Sequence, residues 1–333
     1  MLALIRNEVM KILLKKKMPL IIALLLIFVS LLSYGQNYAY ERNIEQFEAE
    51  SGGMAYDWEG LTAQRLNELE ERSMNESIPE EVRASMDREI EQLTYFIEND
   101  INPVTPTAAK FNVSFAEQGI TLFIPLLIAI LAADLVSNEF SRKTIKILLT
   151  RAVPRWKVLL SKYMALLIMT TFLVFIIGVT TTLVSYLFFQ EWGFSEPIVT
   201  GFTLVEGALI SDSTVLIPRY QYTLLIYSLL WFVSLIVASI TLLVSVIVDT
   251  SASAIGILMA ALIGGQFLQF FLSEWELVKY FFVTNLDLTR YLTGSYQPVE
   301  GMSLNFSILI LSAWAVVSIV ISFIVFNRRD VLV

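Results

Sequence analysis

Long runs of apolar residues are the dominant pattern along this chain of 333 residues. Several runs reach the roughly 18 apolar residues that a helix needs to cross a hydrocarbon layer about 30 Å thick. Because a bilayer offers no water to backbone polar groups, such runs predict helices. Six transmembrane helices are predicted, at residues 19–34, 119–136, 158–189, 222–248, 252–272 and 304–326.

The segment before the first apolar run has an amphipathic pattern. Leu2, Ile5, Val9 and Ile12 recur at helical spacing, while basic residues occupy the other face. A helix of this kind lies in the membrane interface, so residues 1–18 are predicted to form an interfacial helix. A cleaved signal peptide also begins with basic and then apolar residues. That alternative requires an unusually long leader, and no A-x-A cleavage site follows.

Basic residues mark one side of the predicted bundle. Five lie in the first 18 residues, seven lie from Arg142 to Lys162, and Arg328 and Arg329 follow the last span. The two loops that follow the third and fifth spans carry net charges of −3 and −2. Since lysine and arginine accumulate in cytoplasmic loops, both termini are predicted to face the cytoplasm.

The insertion between the first two spans is long and acidic. Residues 35–118 contain 18 acidic and 6 basic residues, a net charge of −12. Val82, Met86 and Ile90 recur at helical spacing, and a weaker stripe near Leu61 favours a second helix that packs against the first as an antiparallel hairpin. We therefore predict a helical extracellular domain. Its acidity fits either a solvated surface or a cation-binding role.

These patterns together predict an all-α polytopic membrane protein with six transmembrane helices, both termini inside, located in a bacterial plasma membrane. The remaining segments are a cytoplasmic loop, two extracellular loops and a cytoplasmic tail. They are assigned to residues 137–157, 190–221, 273–303 and 327–333.

The chain lacks residue types that catalysis commonly uses. It contains neither cysteine nor histidine, which excludes thiolate nucleophiles, zinc–cysteine sites and the imidazole bases of most membrane hydrolases. Only 16% of residues are charged, against roughly 25% in soluble proteins, and nothing indicates nucleic-acid binding. We expect no catalytic or metal site, with an enzyme that uses only carboxylates as a remaining alternative.

Ionisable residues are expected only near the ends of the predicted spans. Asp134 and Asp249 lie at cytoplasmic ends, and Glu117 lies at an outer end. Since charges within a membrane are costly and mark ion-coupled transport, the sequence offers no internal energy source for transport.

The fifth predicted span carries a strip of small residues followed by two amides. The strip consists of Ala252, Gly256, Ala260, Gly264, Gln266 and Gln269. Small residues let helix backbones approach closely, so the strip predicts a packing seam. The spacing leaves open whether its partner is a helix of the same subunit, a second subunit or a transport path.

The segment between the second and third spans contains an ordered series of short motifs. They are Glu139, the run Thr144-Ile145-Lys146-Ile147-Leu148-Leu149, Pro154 and the pair Ser161-Lys162. With these motifs, a basic first helix, six spans and a large outer insertion, the chain resembles the membrane subunits of type-2 ATP-binding-cassette transporters. It departs from that family at Lys143, where glycine is frequent.

The resemblance implies a permease that pairs with a second membrane subunit, identical or homologous, and with two copies of a cytoplasmic ATPase. ATP and Mg²⁺ are then expected in the ATPase, because this chain has no G-x-x-x-x-G-K-[ST] phosphate loop. The loop between spans two and three is expected to be a coupling helix. The residues expected to contact the ATPase are Glu139, Arg142, Lys143, Lys146 and Arg151.

The function that follows from this resemblance is export of an amphipathic, peptide or lipid-like substrate, including export that gives resistance to antimicrobial peptides. Spans one, two and five are expected to line the path, within a membrane lipid environment. A rival hypothesis is a membrane sensor or immunity protein that captures cationic peptides with its acidic insertion.

Overall fold

The computed structural model describes residues 1–50, 57–75, 80–141, 153–200, 203–205, 208–210, 215–271, 275–293 and 301–329. Within these ranges the chain is mostly helical, which confirms the predicted helical class. The helices are α1 (Leu2–Leu14), α2 (Lys17–Glu50), α3 (Trp58–Ser73), α4 (Glu80–Glu98), α5 (Ala108–Gly119), α6 (Phe123–Ala132), α7 (Ser137–Ser141), α8 (Arg155–Phe189), α9 (Arg219–Ile247), α10 (Ser251–Phe271), α11 (Arg290–Thr293) and α12 (Leu304–Arg328).

Six helical stretches among the described residues are long and apolar enough to cross a membrane, as the sequence predicts. They are Lys17–Ala49, Phe123–Ser141, Arg155–Phe189, Arg219–Ile247, Ser251–Gln269 and Leu304–Arg328. The last four agree with the predicted spans to within three residues at each end. The first two differ more, because the first helix continues past residue 34 and the second span starts at Phe123.

Helices α8 and α9 form the centre of the bundle. Helix α8 packs against α1, α2, α5 and α9, and α9 also packs against α5, α6, α10 and α12. Gly178 of α8 permits a close approach, since a Cβ there would lie 3.1 Å from the Tyr227 ring of α9. By contrast, only 22% of the most apolar window of α10 and of α12 is buried, against 67% for α9. These outer helices present apolar faces to the surroundings.

Helix α5 corrects one predicted boundary, because it belongs to the bundle. The prediction assigns residues 108–118 to the outer domain, yet α5 packs between α8 and α9. Phe111 is 4% exposed, and the Asn112 amide donates to the Gly178 carbonyl oxygen at 3.1 Å and to the Thr182 hydroxyl. Because α5 contains polar residues, its sequence does not read as part of a membrane span. The hydrogen bonds of these residues to neighbouring helices allow them to be buried.

The first helix is longer than the membrane is thick. Helix α2 has 34 residues, about 51 Å at 1.5 Å per residue, so residues 35–50 continue it and do not begin a separate domain. Beyond it, α3 and α4 pack together as the predicted hairpin. Arg65 of α3 binds Glu89 of α4 at 3.2 Å, and Leu69 is buried.

The predicted loop at 190–221 contains short strands that the sequence analysis did not predict. Residues Pro197–Thr200 (β1) pair antiparallel with Val215–Pro218 (β4), and Thr203–Val205 (β2) pair with Ala208–Ile210 (β3). Their β-branched and apolar residues favour strands, but runs of three or four residues are too short for a periodic signal.

The small-residue strip of α10 faces away from the described remainder of the chain. Ala252, Gly256, Ala260, Gly264 and Gln266 are exposed, and Gln269 is partly exposed. A Cβ at Gly256 or Gly264 would meet no atom within 4 Å. The glycine that packs closely is the neighbouring Gly265, where a Cβ would lie 2.6 Å from the Val283 Cβ. The strip therefore makes no close internal seam with the described residues.

Replacing Gly265 with alanine should destabilise the protein, whereas Gly264→Ala should not. The new methyl group of Gly265→Ala would overlap Val283 and the Phe281 ring, and overpacking of this kind costs about 1–3 kcal/mol. Thermal unfolding of the detergent-purified variants measures the difference. Equal melting temperatures for the two variants would contradict this account of the α10 packing.

Candidate functional site

Lys162 is a buried lysine within the apolar helix α8. The helix begins at Arg155, directly after Pro154, and Lys162 is 1% exposed. Val158 and Ala165 are buried one turn before and one turn after it, so helical periodicity directs Lys162 toward the centre. Lys162 lies about 10 Å from the start of this 35-residue helix, so it is near the end of the span, although the sequence-based expectation did not name it there.

Two carboxylates neutralise this lysine. Lys162 Nζ donates to Glu8 Oε2 at 2.9 Å and to Glu139 Oε1 at 2.7 Å. Lys11 Nζ lies 2.7 Å from Glu8 Oε1 and 3.5 Å from Glu139 Oε1. We call these four residues the ion-pair cluster. Two acids and two bases balance in charge, as burial requires.

Glu8 comes from α1, the basic helix at the start of the chain. Glu8 and Ile12 are the buried positions of α1, and the helix packs directly on α8. Burial alone would raise the pKa of the Glu8 carboxyl, but Lys162 and Lys11 outweigh burial and hold this pKa below its usual range. Glu8 is therefore ionised near neutral pH. Helix α1 is thus anchored to the bundle by a buried charge as well as by its apolar face.

Glu139 lies on α7, beyond an interruption in the second span. Between α6 and α7 the regular helix is lost, and one hydroxyl from α9 holds the junction. Ser245 Oγ accepts from the backbone N–H groups of Val136 and Ser137 at 3.2 and 3.1 Å, and it donates to the Ala133 carbonyl oxygen at 2.7 Å. The freed backbone groups are satisfied in this way, and the position of Glu139 is fixed.

A second ionic contact ties the turn between α1 and α2 to the same junction. The Asp134 carboxylate forms ion pairs with Lys15 Nζ at 2.9 Å and with Lys17 Nζ at 2.8 Å. Lys17 also donates to the Ile130 carbonyl oxygen. Lys16, between the two lysines, has a positive φ of 55°, a left-handed conformation that turns the chain sharply from α1 into α2.

The end of α12 joins the same end of the bundle. Arg155 donates to the carbonyl oxygens of Asn327 and Arg329 at 3.3 and 3.1 Å. Arg329 binds Asp249, and its guanidinium lies 4.0 Å from the centre of the Phe140 ring. The described residues of the three basic regions therefore meet at one end of the structure.

The structure describes only one of the five residues expected to contact an ATPase. Glu139 lies in the ion-pair cluster, where its Oε1 contacts Lys162 and Lys11. Arg142, Lys143, Lys146 and Arg151 lie in 142–152, outside the described residues. Within the described part of the chain, no three acidic side chains gather as a metal site would require.

Sequence analysis missed Glu8 and, apart from its place in a short motif, Lys162. A usable signal existed, because Glu8 is the only acid in the first 18 residues and Lys162 is the only charge in 158–189. A lone acid in a basic helix and a lone base in an apolar helix are candidates to pair. Sequence spacing could not identify the pairing, since 154 positions separate the two residues.

Comparison with known proteins identifies relatives without a described activity. Residues 90–332 match the family described as "Protein of unknown function (DUF2705)". The chain is 28% identical over 212 residues to the uncharacterized protein YhcI of Bacillus subtilis, an alignment that covers 63% of this chain and 66% of that protein. It is also 28% identical over 216 residues to the uncharacterized membrane protein YdbK of Bacillus subtilis, covering 64% and 79%. The chain thus spans just under two thirds of YhcI.

Replacing Lys162 with methionine should strongly destabilise the protein. The change removes the ammonium that both Glu8 and the half-buried Glu139 contact, and removal of one partner from a buried ion pair costs about 3–5 kcal/mol. Thermal unfolding in detergent measures the loss. Combining Lys162→Met with Glu8→Gln and Glu139→Gln should recover part of it, because no buried carboxylate is then left unpaired.

The matched control is Lys157→Met, on the same helix, where the lysine contacts the Trp156 ring at 5.4 Å. An equal loss in both lysine variants would contradict a special role for the ion-pair cluster.

Proposed function

This chain belongs to the DUF2705 family of proteins of unknown function, and we propose that it is the permease subunit of an ATP-driven exporter of the type-2 ATP-binding-cassette class. Two copies of a separate ATPase supply the energy, and ATP and Mg²⁺ are bound there. The sequence motifs from Glu139 to Lys162 are the basis of the class assignment. Six apolar helices and a relative named as a membrane protein agree with it.

The observation that best supports the proposal is the position of the ion-pair cluster. It joins α1, α7 and α8. Helix α7 ends just before residues 142–152, and α8 begins shortly after them. A force on that segment would reach α7 and α8 together, because separating buried opposite charges is costly. In the proposed mechanism the cluster transmits movement of the coupling segment to the bundle and shifts it between two packings.

The structure also changes the role that we propose for Glu139. Its Oε1 binds lysines of this chain, so we assign it to positioning the coupling segment. Direct contact with the ATPase is proposed for Arg142, Lys143, Lys146 and Arg151.

The orientation that we propose places the ion-pair cluster in the cytoplasm. The described residues of the three basic regions meet at that end, and positive residues accumulate on the cytoplasmic side of membrane proteins. An ATPase would need its docking segment on that side. Both termini are then cytoplasmic, and the α3–α4 hairpin is extracellular.

A pair of permease subunits is proposed because the small-residue strip of α10 makes no close contact with the rest of the described chain. Gly256 and Gly264 have open space where a Cβ would lie, and strips of small residues permit helices to pack closely in membranes. Such a strip on an outer face suits contact with a second membrane subunit.

An amphipathic or lipid-like substrate is favoured by a groove between α8 and α9. The groove has a volume of about 590 Å³. Its walls include Phe175 and Leu224, and Asn112, Thr182 and Tyr227 add polar groups. Apolar walls with a few polar groups suit a ligand with both apolar and polar parts.

The decisive test is whether an ATPase accompanies this chain. The full chain should be purified from its native membrane in a mild detergent, and ATPase stoichiometry and ATP turnover measured. Lys146→Ala should lower ATP turnover roughly fivefold or more, because interface contacts of this importance contribute at least about 1 kcal/mol. Lys157→Ala is the matched control, because Lys157 lies on α8 and outside residues 142–152.

Absence of an ATPase, or unchanged turnover in Lys146→Ala, would overturn the permease proposal. Binding of cationic peptides by such an ATPase-free preparation would favour the sensor or immunity hypothesis instead.

A further inference from the structure

A charged cavity lies at the end of the bundle opposite the ion-pair cluster. Its volume is about 290 Å³. It is bounded by α5, the start of α9, strand β1 and the segment that follows α4. Its polar lining includes Lys110, Glu117, Arg219 and Tyr222, and its apolar lining includes Phe96. A space of this size suits the polar head of a ligand better than a complete drug-sized molecule.

Arg219 is the most informative residue of the cavity. It is the first residue of α9 and is 7% exposed. Among the described residues its Nε finds no hydrogen-bond acceptor, and the one ion contact recorded for its side chain is Glu196 Oε2 at 3.5 Å. A buried guanidinium with an unused donor is costly, so a ligand that accepts this hydrogen bond would gain affinity.

Lys110 adds a second positive charge, and its ammonium donates to the carbonyl oxygens of Asn102 and Thr105 at 2.9 and 2.7 Å. Its Nζ lies 3.5 Å from Glu196 Oε2, the oxygen that Arg219 approaches. Burial lowers the pKa of Lys110 to about 8, and the charge of Arg219 adds to this effect although Glu196 opposes it. The Lys110 side chain is 13% exposed, whereas Glu196 is 35% exposed. The buried Arg219 and the half-buried Lys110 thus lie at equal distance from one partly solvated carboxylate.

Glu117 decides the charge balance of the cavity. It accepts a hydrogen bond from the Tyr222 hydroxyl at 3.0 Å. Burial raises the pKa of Glu117 to about 7, and the Asp287 carboxylate raises it further, while Tyr222, Arg290 and Arg219 oppose the shift. Protonation of Glu117 therefore leaves the positive charges of Lys110 and Arg219 in excess.

We propose that this cavity binds a phosphate group, through a hydrogen bond from Arg219 and the positive charge of the nearby Lys110. A phosphate oxygen can accept from the guanidinium, and arginine and lysine both bind phosphate in proteins. The cavity lies where α9 begins. Helix ends of membrane spans lie at the depth of lipid headgroups, so the phosphate belongs either to a lipid or to a soluble phosphate ester. The site is independent of any ATPase partner.

The test uses the full chain in a maltoside detergent, which carries no phosphate. Two probes are titrated by calorimetry: dimethyl phosphate and a short-chain phosphatidylglycerol. Both are phosphate diesters, so neither has the second ionisation near pH 6 that a phosphate monoester has. Any change in affinity between about pH 6 and about pH 7.5 then reports on the protein.

The wild-type chain should bind at least one probe saturably at about pH 6 and several-fold more weakly at about pH 7.5. Arg219→Gln should weaken binding roughly 10- to 100-fold, the usual effect of a charge-assisted hydrogen bond. Arg72→Gln removes the same charge from the exposed face of α3 and is the matched control.

Glu117→Gln is expected to strengthen binding at about pH 7.5, and a misfolded variant would not show such a gain. This variant should bind at about pH 7.5 as tightly as the wild type binds at about pH 6, because its cavity can no longer acquire the negative charge. Binding of the lipid probe alone would identify a headgroup site, and binding of dimethyl phosphate alone would identify a site for soluble esters. Failure of both probes to bind, unchanged affinity in Arg219→Gln, or wild-type pH dependence in Glu117→Gln would overturn the proposal.

Discussion

A buried lysine sets the arrangement of one whole end of this protein. Lys162 is 1% exposed inside an apolar helix, and an ammonium in such surroundings must be neutralised at close range. Glu8 and Glu139 approach it from two other helices. The positions of α1 and α7 on the bundle are therefore constrained by one charge, and the junction with Ser245 and the Asp134 contacts reinforce the same arrangement.

The polar chemistry of the described chain is concentrated at the two ends of the bundle. One end holds the ion-pair cluster, whose two acids and two bases are matched. The other end holds the cavity of Arg219 and Lys110, whose balance depends on Glu117. Between them, the centres of α8 and α9 are packed by apolar side chains and by hydroxyl and amide groups such as Asn112. Ion-coupled transport needs charges in that central region, and the proposed function instead assigns the energy source to a separate motor.

The outer surface of the bundle is divided between close packing and open apolar faces. Helix α9 is mostly buried, whereas α10 and α12 expose most of their apolar length. In a membrane these faces meet lipid or another subunit at little cost. Gly265 shows how local the difference is, because it packs against Val283 while Gly264 beside it faces open space.

The sequence alone determined the membrane class, the positions of the last four spans and the hairpin of the insertion. Apolar length and helical periodicity are local properties, and a bilayer leaves few alternatives to a helix. Only the tertiary structure decided that α5 belongs to the bundle, that Glu8 pairs with Lys162 across 154 positions, and that Lys110 and Arg219 both approach one carboxylate. Such pairings depend on which helices become neighbours, and the local sequence pattern does not show which helices do. A buried charge is stable only when its partner, which is distant in the sequence, lies beside it in the folded protein.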